Sequence, residues 1–219
     1  SAQALWAISI GATLALVAAP WLIRTPRRAP ARVDPTNCNG CGRCFEDCPY
    51  AAITMVRSEN GELAVVDTNA CASCGICAGA CPSATPFRRF DVLASGIDLP
   101  FDPVDAVRRR LESALANRPR AVIAFGGTHG ADLRKVDAPG VAAIPLECAG
   151  QLPPAFVDYA LRHGARGVAI VGCPEGGCEF RLGDQWTDER LAGIREPHLR
   201  ASVPRERVLR IGAGPGEEA

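Results

Sequence analysis

The longest apolar run stands at the start of the chain. Ala4 to Ile23 carries no charge over twenty residues, and as a helix it would extend about 30 Å, the thickness of a bilayer core. Trp6 and Trp21 sit near its ends, and Arg24, Arg27, Arg28 and Arg32 follow. Aromatic rings favour the headgroup level and positive residues stay on the cytoplasmic side. The pattern predicts one transmembrane helix over residues 1–24, with the rest of the chain cytoplasmic at the inner membrane. A secretory signal peptide would need a basic segment before Ala4 and a shorter apolar region.

Further along, the period changes. Ile53–Val56 and Leu63–Val66 flank an Asn60-Gly61 pair, which is a hairpin signal with the residues that positive φ requires. Val104, Val107, Leu111 and Leu115 recur at helical spacing after Asp102-Pro103. They predict an amphipathic helix over about 103–117, with Asp102 as N-cap and Arg108, Arg109 and Arg110 on solvated faces. From residue 120, short apolar runs alternate with helical stretches. Ala121–Phe125, Val141–Pro145, Val168–Gly172 and Val208–Ile211 read as buried strands, and 154–163 and 187–195 as helices. That alternation predicts a small parallel α/β domain over 120–219. Residues 25–36, rich in proline, and 87–119 read as linkers.

Composition changes the picture at one point. Net charge is zero, so no long-range field favours a nucleic-acid partner. Nearly all cations are arginine, Lys135 being the single lysine. The cysteines, however, number 11, which suits either a secreted disulfide scaffold or metal clusters in a reducing compartment.

Spacing decides between these. Residues 38–49 read Cys-Asn-Gly-Cys-Gly-Arg-Cys-Phe-Glu-Asp-Cys-Pro, and 71–82 read Cys-Ala-Ser-Cys-Gly-Ile-Cys-Ala-Gly-Ala-Cys-Pro. Each matches the run C-x₂-C-x₂-C-x₃-C-P. Three thiolates two residues apart wrap one cubane, and the fourth points to the other. One [4Fe–4S] cluster is then expected on Cys38, Cys41, Cys44 and Cys81, and a second on Cys71, Cys74, Cys77 and Cys48. Gly40, Gly42 and Gly75 allow the tight backbone, and Pro49 and Pro82 redirect the chain. Zinc sites pair two short motifs for four ligands in all, and loops this short disfavour disulfides.

The two motifs repeat at a 33-residue offset and, over about 34–86, resemble the bacterial two-cluster ferredoxins. The resemblance implies an α+β ferredoxin-like domain, placed at 37–86, that transfers single electrons. The second half resembles the delta subunit of methyl-viologen-reducing hydrogenase, also found fused to heterodisulfide-reductase subunits. The residues are Gly130-Ala131-Asp132, Pro145-Leu146-Glu147-Cys148-Ala149-Gly150, His163-Gly164-Ala165-Arg166-Gly167-Val168 and Gly172-Cys173-Pro174-Glu175-Gly176-Gly177-Cys178-Glu179-Phe180, within about 120–213. That family's domain carries a [2Fe–2S] cluster and passes electrons between a hydrogenase and a reductase. Where it has a cysteine pair after the first strand, this chain has Gly126-Gly127-Thr128-His129. Cys148, Cys173, Cys178 and His129 follow strand ends and could converge there. A third cluster and a zinc ion stay open on those residues, and the missing pair makes a metal-free domain the expectation.

Gly126-Gly127-x-x-Gly130 matches no full dinucleotide fingerprint and reads as a tight turn. His163 and His198 read as surface residues. No nucleophilic triad and no carboxylate pair is recognisable. The expected function is therefore an electron-transfer subunit of a membrane-associated oxidoreductase complex, with catalysis in partner subunits. The expected partners are other redox subunits, among them a haem b or quinone-reactive membrane subunit. The alternative is an iron–sulfur redox-sensing or assembly module, which should not copurify with redox subunits. A stand-alone reductase ranks last, for want of a nucleotide or flavin fingerprint.

Overall fold

The structure is a computed structural model that describes residues 2–22, 28–59, 61–88 and 91–218. Ile23, Arg24, Pro26, Arg27 and Asn60, which carry part of the sequence argument, lie outside the described residues.

In chain order the elements are α1 (Ala2–Leu22), β1 (Arg32–Val33), α2 (Arg43–Glu46), β2 (Ile53–Ser58), β3 (Gly61–Val66), α3 (Ile76–Ala80), β4 (Ile97–Asp98), α4 (Val104–Asn117), β5 (Val122–Gly127), β6 (Val141–Leu146), α5 (Ala155–Arg162), β7 (Gly167–Gly172), α6 (Gly183–Ala192) and β8 (Val208–Gly212).

The apolar run does form a helix, α1. Yet among the described residues no helix is long and apolar enough to cross a membrane. The single-pass inner-membrane placement is thereby overturned, and with it the argument for a haem b or quinone-reactive membrane partner. Absence of charge is not the same as apolarity, and Ser9, Gly11, Thr13 and Pro20 dilute the run. Nor is Arg28 a membrane flank: it pairs with the buried Glu147 and lies 5.3 Å from the Phe101 ring centre.

The expected hairpin is β2–β3, antiparallel in register from Ile53 opposite Val66 to Ser58 opposite Gly61. A second ladder, invisible in the sequence, pairs β1 with β4 as Arg32 opposite Asp98 and Val33 opposite Ile97. It encloses both cysteine motifs. Ala31, Ile53, Ala64, Ile97 and Leu99 fill the small core between them.

The second half is a four-stranded parallel sheet in the order β6-β5-β7-β8. Its central strands β5 and β7 are buried after their first residue, whereas edge strand β6 alternates in exposure and edge strand β8 is nowhere fully buried. Burial on both faces demands the continuous apolar runs seen in the sequence. One face, with Ile123, Phe125, Ile144, Leu146, Val168 and Ile170, packs against α4 and α5 through Val107, Leu111, Phe156 and Val157. The other face is built of small residues, Ala124, Ala169 and Val171, covered by Ala131, Leu133 and Ala213.

Helix α4 begins one residue later than expected, and its cap differs. The Asp98 carboxylate accepts the Val104 N–H at 3.0 Å, so the cap comes from β4. Asp102 instead pairs with Arg110 and accepts from Gln151. Arg108 is not solvated: it is buried, pairs with Asp105 and donates to the Asp91 carbonyl at 2.8 Å. Helix α6 starts four residues before the expected 187 and ends at Ala192. His163 and His198 are exposed, as expected.

Candidate metal centres

Each cysteine motif folds by the same local logic. Gly42 and Gly75 precede the short helices α2 and α3 in the left-handed region, with φ of +76° and +79°. Only glycine enters that region without strain. The turn lifts the third cysteine, Cys44 or Cys77, onto the helix, and the fourth follows at or beyond the helix end.

The fourth thiol of each motif, Cys48 or Cys81, lies with the first three thiols of the other motif. Cys38, Cys41, Cys44 and Cys81 line one cavity, walled by Met55, Ala64 and Ile97. Cys48, Cys71, Cys74 and Cys77 line a second, walled by Tyr50, Ile53 and Ile76. All eight sequence-selected cysteines are thus brought together, four to a cavity. Among the described residues no three His, Cys, Asp or Glu side chains are grouped to hold a single metal ion. A cubane asks for a different arrangement, one thiolate per iron around a shared cavity.

The electrostatics suit the same group. Burial pushes the Cys44 thiol up to about 12, and the neighbouring Cys81, Cys41 and Cys38 add to it. Burial likewise takes Cys74 to about 12, with Cys48 and Cys71 contributing. Cys77 is raised by burial first and then by Cys74, Cys44, Cys71 and Cys48. Four thiolates facing one apolar cavity repel each other unless a cationic centre stands between them, and iron would supply it. Cys81 departs from this pattern. Burial raises it, but hydrogen bonds with Ser83, Ser95 and Gly96 outweigh burial and leave it lowered. Cys48 Sγ accepts the Ala52 N–H at 3.3 Å. The residues fit two [4Fe–4S] clusters.

The two cavities differ in setting. Cys41 is exposed, and so is Phe45 beside the first cavity. Cys74, Ile76 and Cys77 of the second are buried, and Ile76 packs with Cys148 and Phe180 of the α/β half. Gly79 shows how close that approach is: a Cβ there would lie 2.1 Å from the Gly150 carbonyl oxygen.

Residues that sequence reasoning missed hold this contact. Asp47, next to Cys48, is buried and pairs with Arg190 and Arg195. The Trp186 indole donates to the Asp47 carbonyl at 3.1 Å, and Arg181 donates to the Pro49 carbonyl at 2.8 Å. An arginine in a helix of mixed polarity carries no sequence signal that it is buried.

At the carboxyl ends of the strands, the remaining candidates gather in part. β6 and β7 lie on opposite sides of β5, the switch point where open α/β sheets place their sites. Cys148 is buried, and its Sγ accepts the Gly150 N–H at 3.4 Å. A Cβ on Gly183 would lie 2.4 Å from Cys148 Sγ and 3.6 Å from Cys178 Sγ, so both sulfurs flank the start of α6. The Cys173 N–H donates to Asp184 at 3.2 Å. Burial raises the Cys148 and Cys173 thiols, and Cys178 adds to each. His129 is engaged elsewhere. Its Nε2 lies 3.0 Å from Glu147 Oε1, and its ring meets Phe180 edge-on at 5.0 Å. The glycines at the end of β5 and just beyond it serve packing: a Cβ on Gly126 would meet Val171 O at 2.7 Å and one on Gly130 would meet Ala213 O at 2.5 Å.

Comparison with known proteins gives two family matches along the chain. Residues 37–85 match the 4Fe-4S dicluster domain, and residues 124–216 match the family described as methyl-viologen-reducing hydrogenase, delta subunit. Over 97 residues the chain is 29% identical to an iron-sulfur subunit of the vhc F420-non-reducing hydrogenase of Methanococcus voltae, covering 43% of this chain and 67% of that one. Over 70 residues it is 30% identical to an iron-sulfur subunit of the F420-non-reducing hydrogenase of Archaeoglobus profundus, covering 32% of this chain and 51% of that one. The chain carries a two-[4Fe–4S] domain, followed by a domain similar to the hydrogenase delta subunit.

Proposed function

We propose that the chain is an electron-transfer iron–sulfur subunit of a hydrogenase-type oxidoreductase complex, with catalysis in its partner subunits. The observation that carries this is the pair of adjacent four-thiol cavities. Cys38, Cys41, Cys44 and Cys81 would hold one cluster, and Cys48, Cys71, Cys74 and Cys77 the other. When bound, each cluster supplies a one-electron store. The protein's part is to place the two stores side by side, to keep water from them with Met55, Ile53, Ile97 and Ile76, and to present one to partners at Cys41 and Phe45. The other lies beneath the α/β domain.

The α/β domain carries no cluster of its own in this reading. Three thiols stand near the head of α6, no cysteine pair follows β5, and His129 is tied to Glu147. Purification of the native protein tests the proposal. Stoichiometric recovery with redox subunits of a hydrogenase-type complex is the expected result. A chain that purifies alone with both clusters intact would favour a sensing or assembly module instead.

A further inference from the structure

The two cavities belong to an internal repeat, yet their electrostatic settings differ at one matched position. Asp47 precedes the crossing ligand Cys48, and its counterpart 33 residues on is Ala80, which precedes Cys81 and is fully buried. The Asp47 side recruits two cations from the α/β domain, Arg190 and Arg195. The Arg190 side chain is 1% exposed and that of Asp47 3%. Arg190 Nη2 pairs with Asp47 Oδ2, Nη1 donates to Gly150 O at 2.9 Å, and Nη2 reaches Ile76 O at 3.4 Å. Ile76 lies between the ligands Cys74 and Cys77. Arg195 pairs with Asp47 Oδ1 at 2.6 Å and stacks 3.4 Å from the Trp186 ring centre. Two guanidinium groups thus meet one carboxylate directly behind Cys48 and Ile76, which line the second cavity. The nearest counterpart at the first motif, Arg43, is partly exposed and pairs with Glu196 at 3.5 Å, where solvent screens it.

A buried ion pair is a poor stabiliser, because desolvation offsets the attraction. Arg190 Nε has no hydrogen-bond partner among the described residues, which adds to that cost. A role in the field of the cluster accounts for the arrangement better. Each reduction adds a negative charge to a cluster, and net local charge is one of the levers on its potential. In a low-dielectric interior an adjacent cation favours the reduced form.

We propose that Arg190, locked with Arg195 against Asp47, is a positioning residue that raises the reduction potential of the second cluster above that of the first. This rests on the assignment of two cubanes made above. An electron received at the solvent-facing first cluster then passes to the second. The first is oxidised by one electron as the second is reduced by one, and the charge collects beneath the α/β domain.

EPR-monitored redox titration of the full chain tests this, with Cys48→Ser identifying the second cluster's signal. Arg190→Met should lower the second midpoint and leave the first unmoved. Asp47→Asn should raise the second midpoint, and Arg190→Lys, which keeps the charge, should stay near the wild type. A purely structural clamp would not produce shifts of opposite sign. Midpoints unmoved in Arg190→Met and Asp47→Asn, or both clusters moving together, would overturn the proposal. Should Arg190→Met lose the second cluster, Asp47→Asn decides alone: an upward shift supports the proposal and none refutes it. A wild-type chain without two cubane signals would instead refute the cluster assignment.

Discussion

Replacing Gly79 by alanine tests the seam between the two halves. In an isolated helix the exchange would help by about 1 kcal/mol, since alanine is the better helix former. Here the added methyl would sit 2.1 Å from Gly150 O, 2.7 Å from Arg190 Nη1 and 3.1 Å from the Gln151 carbonyl carbon. Two of those atoms are backbone and cannot swing aside. Overpacking of this kind costs about 1–3 kcal/mol. Pushing Gly150 away also removes the acceptor of a buried guanidinium, worth roughly 1.5–3 kcal/mol for a charged bond. Set against the helix gain, the expected loss is about 3 kcal/mol. For a chain of this size that lowers Tm by roughly 6–12 °C. Thermal scans at one fixed rate, followed by circular dichroism and by Trp186 fluorescence, read the shift. Gly11→Ala is the control, because a Cβ there meets nothing within 4 Å. If Gly79→Ala melts at or above the wild type, the close packing of α3 on the Gly150 turn is wrong.

Three further outcomes are expected. Cys48→Ser should abolish or alter the EPR signal of the cluster held by Cys71, Cys74 and Cys77 and spare the other; loss confined to the Cys38, Cys41 and Cys44 cluster would refute the crossing. Metal analysis of anaerobic protein should give about eight irons per chain, four per cubane, unchanged by Cys173→Ala; about ten irons falling to eight in that variant would place a [2Fe–2S] centre in the α/β domain, and one zinc beside eight irons would place zinc there. Burial lifts the Asp98 carboxyl to about 7, although the Val104 and Leu99 N–H groups oppose it. A folded pKa above the unfolded value means that stability is full below about pH 4 and is lost as pH rises through about 7. Asp98→Asn should therefore flatten the decline in Tm between pH 5 and pH 8, and an unchanged slope would show that another group titrates.

What could be read from the chain beforehand was whatever is local. Cysteine spacing within each motif is a matter of a few residues, and so the sets around Cys38 and Cys71 were legible. The buried strands at 122–127 and 167–172 announced themselves as unbroken apolar runs because both sheet faces are covered. Long-range pairing left no such trace. Two-residue strands at Arg32–Val33 and Ile97–Asp98 are too short for any period, and they find each other across 64 residues of chain. Capping of α4 by Asp98 rather than Asp102 depends on that same pairing. Arg108 and Arg190 look like surface residues in sequence, since their burial depends on carbonyls and carboxylates contributed by distant segments. The error at α1 had another origin, in equating an uncharged stretch with one hydrophobic enough for lipid.

The ladder that encloses the two motifs bears on how this molecule could be divided. Beyond the pairing of Val33 with Ile97, the Asp34 N–H donates to Gly96 O at 3.0 Å, and Ser73 Oγ donates to the Arg28 carbonyl at 3.1 Å. The cluster-bearing portion is thus laced shut by chain from before its first cysteine and well after its last. A fragment cut at the borders of the cysteine pattern would leave that lacing open. Anyone grafting the portion onto another scaffold would need to carry both flanks, roughly from Arg28 to Leu99, as one piece. Gly79, Asp47 and Ile76 would still be left facing solvent where Gly150 and Arg190 now stand. The portion is contiguous in sequence, yet it is not a free-standing cassette.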